Sequence, residues 1–247
     1  MRGGVQVVGL IESVLPRQKV SIRRINRDPD SWCGQVIDTD PFPVSKPLAD
    51  RLIQRRIKQT EALGEYALWE GYGQPGATRD AKAVSVKRNI GCFYAWLVRA
   101  KTPSVIVGFG SAFGVSGMYW LAGIEETGVG ELLSFEVNLE WATVARANMD
   151  AISDRFYLTV GTFEDHIAAR LNGRKIDIAL IDAIHTSEFV GKQFEIVMSH
   201  LRPQGIVLLD DIDFSPDMAD CWTRLAHDPR VGSSFEVEGH VGVLEMR

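Results

Sequence analysis

Three groups of residues in this 247-residue chain have types and spacings that suit chemistry: a glycine cluster, several carboxylates that end apolar runs, and a histidine among them. Gly108, Gly110 and Gly114 follow an apolar run at 105–107 and precede an apolar, helix-like segment at 118–124. Glycines in such a turn let the backbone bend sharply and let a ligand approach main-chain N–H groups. About 20 residues on, Leu132-Leu-Ser-Phe-Glu136 is a second β-like run that ends in an acid. Loop, spacing and acid together suit an adenosine-type ligand, with Glu136 placed for the ribose hydroxyls. Further along, Asp182 ends an apolar run and is followed by His185, and Asp210-Asp211 ends another. Carboxylates gathered at one sheet margin call for a compensating proton or cation. An oxygen-only set of Asp182, Asp210 and Asp211 suits a hard ion such as Mg²⁺ or Ca²⁺. The same aspartates also suit plain capping, of a helix starting near Thr186 and of the turn before Ser215-Pro216. His185 has three readings from its position: a general base, a metal ligand, or a histidine that merely starts a helix. His166, His200, His227 and His240 read as surface or turn residues, with His240 in a loop that can reach the site rim.

The elements that must position these residues are legible as alternating patterns. Strands are predicted at 104–109, 131–137, 155–160, 176–181 and 205–210, and helices at 114–124, 139–150, 163–171 and 187–201. In the last helix Val190, Phe194, Val197 and Leu201 form the buried stripe. Short apolar runs separated by helical patterns predict a parallel sheet with right-handed crossovers. Ligands bind outside the carboxyl ends of such strands, which is where Gly108, Gly110, Glu136, Gly161-Thr162, Asp182 and Asp210-Asp211 fall. The chain then closes on a predicted hairpin within 235–245. Before residue 81 the pattern differs: short β-like runs at 5–10 and 20–25, a helix from 47 to about 69 and a break at Gly71, Gly73, Pro75 and Gly76. A further helix spans 86–100 and stops before Pro103.

Composition excludes several classes. A net charge of −5 gives no electrostatic footprint for nucleic acid or anionic membrane, and Arg51, Arg55, Arg56 and Lys58 read as an exposed helix face. The uncharged window 105–124 approaches the length of a membrane span, but its glycines, serines and acidic Glu125-Glu126 flank favour a buried loop and helix. Three widely spaced cysteines predict reduced thiols rather than a disulfide frame, hence a cytoplasmic protein, and no signal peptide is read at the start.

From about residue 84 onward the chain resembles the class I S-adenosylmethionine-dependent methyltransferases, particularly the cation-dependent, catechol-O-methyltransferase-like branch and related natural-product O-methyltransferases. The residues that carry this are Gly110-Ser-Ala-Phe-Gly114-Val-Ser116, Glu136 in Leu-Leu-Ser-Phe-Glu-Val, Asp182 in Ala-Leu-Ile-Asp-Ala-Ile-His, and Gln204-Gly-Ile-Val-Leu-Leu-Asp210-Asp211. The resemblance implies a Rossmann-like, seven-stranded, mostly parallel α/β sheet with a C-terminal antiparallel hairpin and helices on both faces. It implies S-adenosylmethionine held by Gly108, Gly110, Ser111, Gly114, Ser116, Glu136, Val137, Thr162, Phe163 and Asp182. It further implies Mg²⁺ or another divalent cation at Asp182, Asp210 and Asp211, with Asp182 and His185 catalytic and a small hydroxylated molecule as acceptor. Two residues depart from the family pattern: Gly108 stands where an acid is usual, and Asp211 where Asn is usual. Residues 81–247 would form the methyltransferase domain. Residues 1–80 find no match and would be an extension, serving as a lid or an oligomer contact, with Trp32, Tyr66, Trp69 and Tyr72 as its aromatics and a homodimer as the assembly. The rivals are a methyltransferase without metal, a non-catalytic binding protein on this fold, and a nicotinamide oxidoreductase. The glycine spacing is one residue too long for the last.

Overall fold

The computed structural model describes residues 16–69 and 76–247. The run predicted at 5–10 and Tyr72 lie outside them. Strand β6 (Val105–Phe109) sits at the centre of the main sheet, buried along its whole length. It is flanked in parallel by β7 (Glu131–Glu136) and β9 (Ile176–Ile181), with β8 (Phe156–Val160) beyond β7 and β10 (Leu201–Leu209) beyond β9. The hairpin β11 (Val231–Val237) and β12 (Val241–Met246) follows, with β12 antiparallel to β10. All seven expected strands are present. An eighth, β2 (Ile22–Asn26), comes from the N-terminal segment and pairs antiparallel with β11.

Strands buried on both faces can be apolar at every position. Ile106 packs on one side, with helices α3 (Arg88–Lys101), α4 (Val115–Thr127) and α5 (Leu139–Asp150). Val105, Val107 and Phe109 pack on the other, with α6 (Phe163–Leu171), α7 (Ser187–His200) and α8 (Pro216–Ala226). The uncharged window owes its composition to this setting: α4 is wedged between sheet and helices, and every residue from Met118 to Ile124 is buried. No helix among the described residues is long and apolar enough to cross a membrane. The three cysteines are free and buried.

The N-terminal segment is tied into this frame. Strand β1 (Arg17–Val20) pairs with β3 (Phe42–Ser45), and α1 (Trp32–Val36) starts over β12. There the fully buried Glu245 accepts from the Cys33 N–H at 2.6 Å and the Trp32 N–H at 3.1 Å, and pairs with Lys101 at 3.6 Å. A carboxylate at a helix N-terminus is a favourable way to bury charge. Helix α2 runs Asp50–Glu61, shorter than the 47–69 expected, because the chain reverses at Gly64 (φ 85°) into β4 (Glu65–Ala67). Strand β4 pairs with β5 (Thr78–Asp80). The Asn138 side-chain amide donates to the Ala67 carbonyl at 2.8 Å, fastening this small hairpin beside the end of β7.

Candidate active site

Local sequence sets the floor of the site. Gly110 has φ 69°, and a Cβ there would lie 1.7 Å from the Asp182 carbonyl oxygen, so only glycine lets the β6 turn lie against the end of β9. Ser111 anchors the loop to β7: its hydroxyl lies 2.5 Å from the Ser134 hydroxyl and donates to the Phe135 carbonyl at 3.0 Å. Glu136 closes the loop from the other side. Its carboxylate accepts the Ala112 N–H at 2.8 Å and the Asn138 N–H at 2.9 Å. Burial pushes its carboxyl above the usual value, and those backbone bonds work in the opposite direction.

A cleft of about 780 Å³ opens over the carboxyl ends of the strands. Of the residues proposed for the cofactor, Gly110, Glu136, Val137, Thr162, Phe163 and Asp182 line it. Gly108, Ser111, Gly114 and Ser116 are not among its lining residues. Gly108 lies within β6 opposite Ser134 and Leu180, and Gly114 caps α4 against Ala145 of α5. Thr162 accepts the Asp165 N–H as the cap of α6, and Phe163 is buried against Phe109 and Phe135. Sequence reasoning missed Trp141 and Gln193. Both line the cleft, and the Trp141 Nε1 and Gln193 Oε1 atoms are buried with no hydrogen-bond partner among the described residues. A signal existed for Gln193, an amide inside the apolar stripe of α7.

The other end of the cleft is acidic and holds two histidines. His185 Nε2 lies 3.2 Å from Asp211 Oδ2, and its ring packs on Phe214 with centroids 5.4 Å apart. His240 Nε2 lies 3.0 Å from Asp211 Oδ1, while its Nδ1 lies 2.6 Å from Asp213. His240 thus reaches the site rim, brought there by the β11–β12 turn, whose His240 carbonyl accepts the Ile212 N–H. Asp182 is hydrogen-bonded to Asp210, and burial followed by the charges of Asp210 and Asp211 drives its carboxyl well above the usual range. Asp210 is pushed up to about 6 by burial and by Asp211. Burial opposes the Asp211 charge, but the His240 bond and the charges of His185, His240 and Lys87 outweigh it and hold Asp211 below its usual value. His240 is raised to about 9, first by its bond to Asp211, against burial. Burial lowers His185, with Asp211 opposing. Ligand atoms of Asp210, Asp211 and His240 lie within 4.8 Å of one another, a group from which Asp182 is absent.

Leu68, Trp69 and Arg79 of the N-terminal segment, with Lys82, Val84 and Lys87 just after it, supply the remaining wall. Of the aromatics assigned to a lid, Trp69 lines the cleft, Trp32 packs on Trp96, and Tyr66 packs on Phe113.

Residues 107–212 match the methyltransferase domain family. No curated protein matches the chain at the sequence level. Among solved structures, it resembles an O-methyltransferase from Bacillus cereus in complex with SAH, at 16% identity over 79% of this chain and 90% of that one, with a TM-score of 0.58. The O-methyltransferase TomG from Streptomyces achromogenes, in complex with SAM, gives 16% identity, 83% and 92% coverage and a TM-score of 0.57. The SAH-bound methyltransferase PaMTH1 from Podospora anserina gives 18%, 81% and 95%, and 0.54. At such identities the likeness is one of fold. The family match lies over residues 107–212, and the chain as a whole has the fold of these SAM- and SAH-bound methyltransferases.

Proposed function

We propose that this chain transfers the methyl group of S-adenosylmethionine to a hydroxyl of a small molecule. One observation carries this reading: a single cleft has a buried nucleotide-type acid, Glu136, at one end and a carboxylate-oriented histidine, His185, at the other. In this reading Glu136 accepts from the ribose hydroxyls, and Gly110 lets the cofactor lie close to the main chain. The acceptor enters between His185, Phe214 and the wall formed by Trp69 and Val84. Its oxygen forms a bond to the methyl carbon as the sulfur–methyl bond breaks, and the hydroxyl proton passes to His185. Alignment of oxygen, methyl and sulfur does most of the work. The Trp69 segment would serve as a lid.

The acid end also fits a divalent cation, because Asp210 Oδ1 is buried and unpartnered beside Asp211 and His240. Such an ion, held by Asp210 and Asp211 with Asp182 beside them, supplies positive charge that favours an ionised acceptor hydroxyl. One observation favours transfer without metal: His240, raised to about 9, already places a cation between Asp211 and Asp213. Chelation separates the two, since activity that survives EDTA belongs to the second.

Calorimetric titration with S-adenosylmethionine, S-adenosylhomocysteine and NAD tests the cofactor. The first two bind and NAD does not; binding of none of them overturns the assignment. Glu136→Ala is expected to weaken S-adenosylhomocysteine by one to a few kcal/mol, about the scale of leaving buried hydroxyls unpaired. Unchanged affinity in that variant would put the nucleotide elsewhere.

A further inference from the structure

Gln193 is an amide set into the apolar stripe of α7, 2% exposed and flanked by the buried Val190, Phe194 and Val197. Its Nε2 donates to Glu164 Oε1 at 3.2 Å, at the start of α6. A carboxylate only accepts, so this bond fixes which way round the amide sits: nitrogen toward Glu164, oxygen away from it. That oxygen is buried and has no hydrogen-bond partner among the described residues, although Gln193 lines the cleft. A buried acceptor left unpaired is costly, and a donor on a ligand relieves the cost. The surroundings identify the donor. The Gly161 N–H donates to the Glu136 carbonyl at 2.9 Å, so the loop leading into α6 adjoins the acid read as the ribose partner. Phe189 lies one turn before Gln193 on the same side of α7, is half-buried, and also lines the cleft. An aromatic side chain beside a lone acceptor suits a planar heterocycle that carries an amine.

We propose that Gln193 makes the cleft selective for an aminopurine: Oε1 accepts from the exocyclic amine of the cofactor's adenine, and Phe189 packs on the ring. Glu164 is a positioning residue that holds the amide in this orientation. A 6-oxopurine is rejected because its carbonyl oxygen would face Oε1. Turning the amide round would instead set Oε1 against the Glu164 carboxylate. The inference rests on the S-adenosylmethionine reading of the same cleft, and its test is independent of turnover.

The experiment is calorimetric titration of the full chain with S-adenosylhomocysteine against S-inosylhomocysteine, and with adenosine against inosine. Wild type should bind each amino form about 10-fold or more tightly than its oxo partner, the scale of one buried acceptor left unpaired. In Gln193→Met, which keeps the size but not the acceptor, the preference should fall to near unity. Glu164→Ala frees the amide to turn toward an oxo group, so the preference should narrow. Glu164→Gln keeps an accepting oxygen and should retain it. Glu164 is exposed, so its variants carry the comparison if a thermal scan shows Gln193→Met unfolded. Equal affinities in the wild type, or a preference unchanged in Gln193→Met or Glu164→Ala, overturn the proposal, while S-adenosylhomocysteine binding leaves methyl transfer standing. A Gln193-dependent preference for adenosine over inosine, with no binding of S-adenosylhomocysteine, supports the subsite and removes the methyltransferase reading. Binding of none of the four ligands overturns both.

Discussion

His185→Ala is expected to lower kcat by about 10²–10⁴-fold, the usual contribution of a positioned general base, while leaving S-adenosylhomocysteine affinity unchanged. The geometry explains why the loss falls on turnover. Nε2 faces Asp211 at 3.2 Å, so the tautomer that donates from Nε2 leaves Nδ1 with the lone pair that takes the acceptor's proton. Asp211 and the Phe214 ring fix the imidazole plane. Burial depresses the His185 pKa below its ordinary value, so the ring is neutral and basic at neutral pH. Protonation removes the base, so kcat falls as pH drops through that depressed pKa, below about 6.5. His185→Gln keeps a hydrogen-bond donor for Asp211 but no basic nitrogen, and should be as slow as the alanine variant. Full activity in the glutamine variant would reduce His185 to a positioning role. A steady-state pH profile of all three proteins decides the matter.

The largest effect on stability is expected at Gly110. A left-handed backbone costs a non-glycine residue roughly 1–3 kcal/mol, and a Cβ 1.7 Å from the Asp182 carbonyl adds an overlap with backbone that no side-chain rotation relieves. Gly110→Ala should therefore lose about 3–5 kcal/mol in total, among the larger values for point substitutions. For a chain of this size that corresponds to a Tm lower by roughly 10 °C. Gly128 provides the control, because it has φ 68° and nothing within 4 Å of a built Cβ. Gly128→Ala carries the backbone penalty alone. Differential scanning calorimetry of the two variants measures the difference, and equal losses would mean that the β6 turn does not approach the end of β9 this closely.

The sheet was legible because strands buried on both faces are uninterrupted apolar runs, and because their last residues mark the ligand side. Gly110, Glu136 and Asp182, read that way, all line the cleft. Gly108, Ser111, Gly114 and Ser116 belong to the same motif but are not among the residues that line the cleft. The place of His240 depends on β12 pairing with β10, which carries the hairpin turn to the Asp210–Asp211 corner. Hydrophobic periodicity says which face of a strand is buried, but not which strand lies beside it. Trp141 looks in sequence like any aromatic on a helix, and only its unpartnered indole nitrogen sets it apart. The helix expected over 47–69 overran because the reversal at Gly64 was given too little weight. The β-like run at 20–25 was noticed, but nothing local says that it would join β11.

That last pairing has a consequence for solubility. Without β2, strand β11 would present a row of open main-chain donors and acceptors across its seven residues, a template on which another chain could add a strand. Ile22–Asn26 covers this row. Among the described residues, the rim it leaves in exchange is five residues long and displays Arg23 and Arg24, a length and charge poorly suited to extension by a second molecule. The N-terminal segment thus acts as a stopper for the sheet as well as a wall for the cleft.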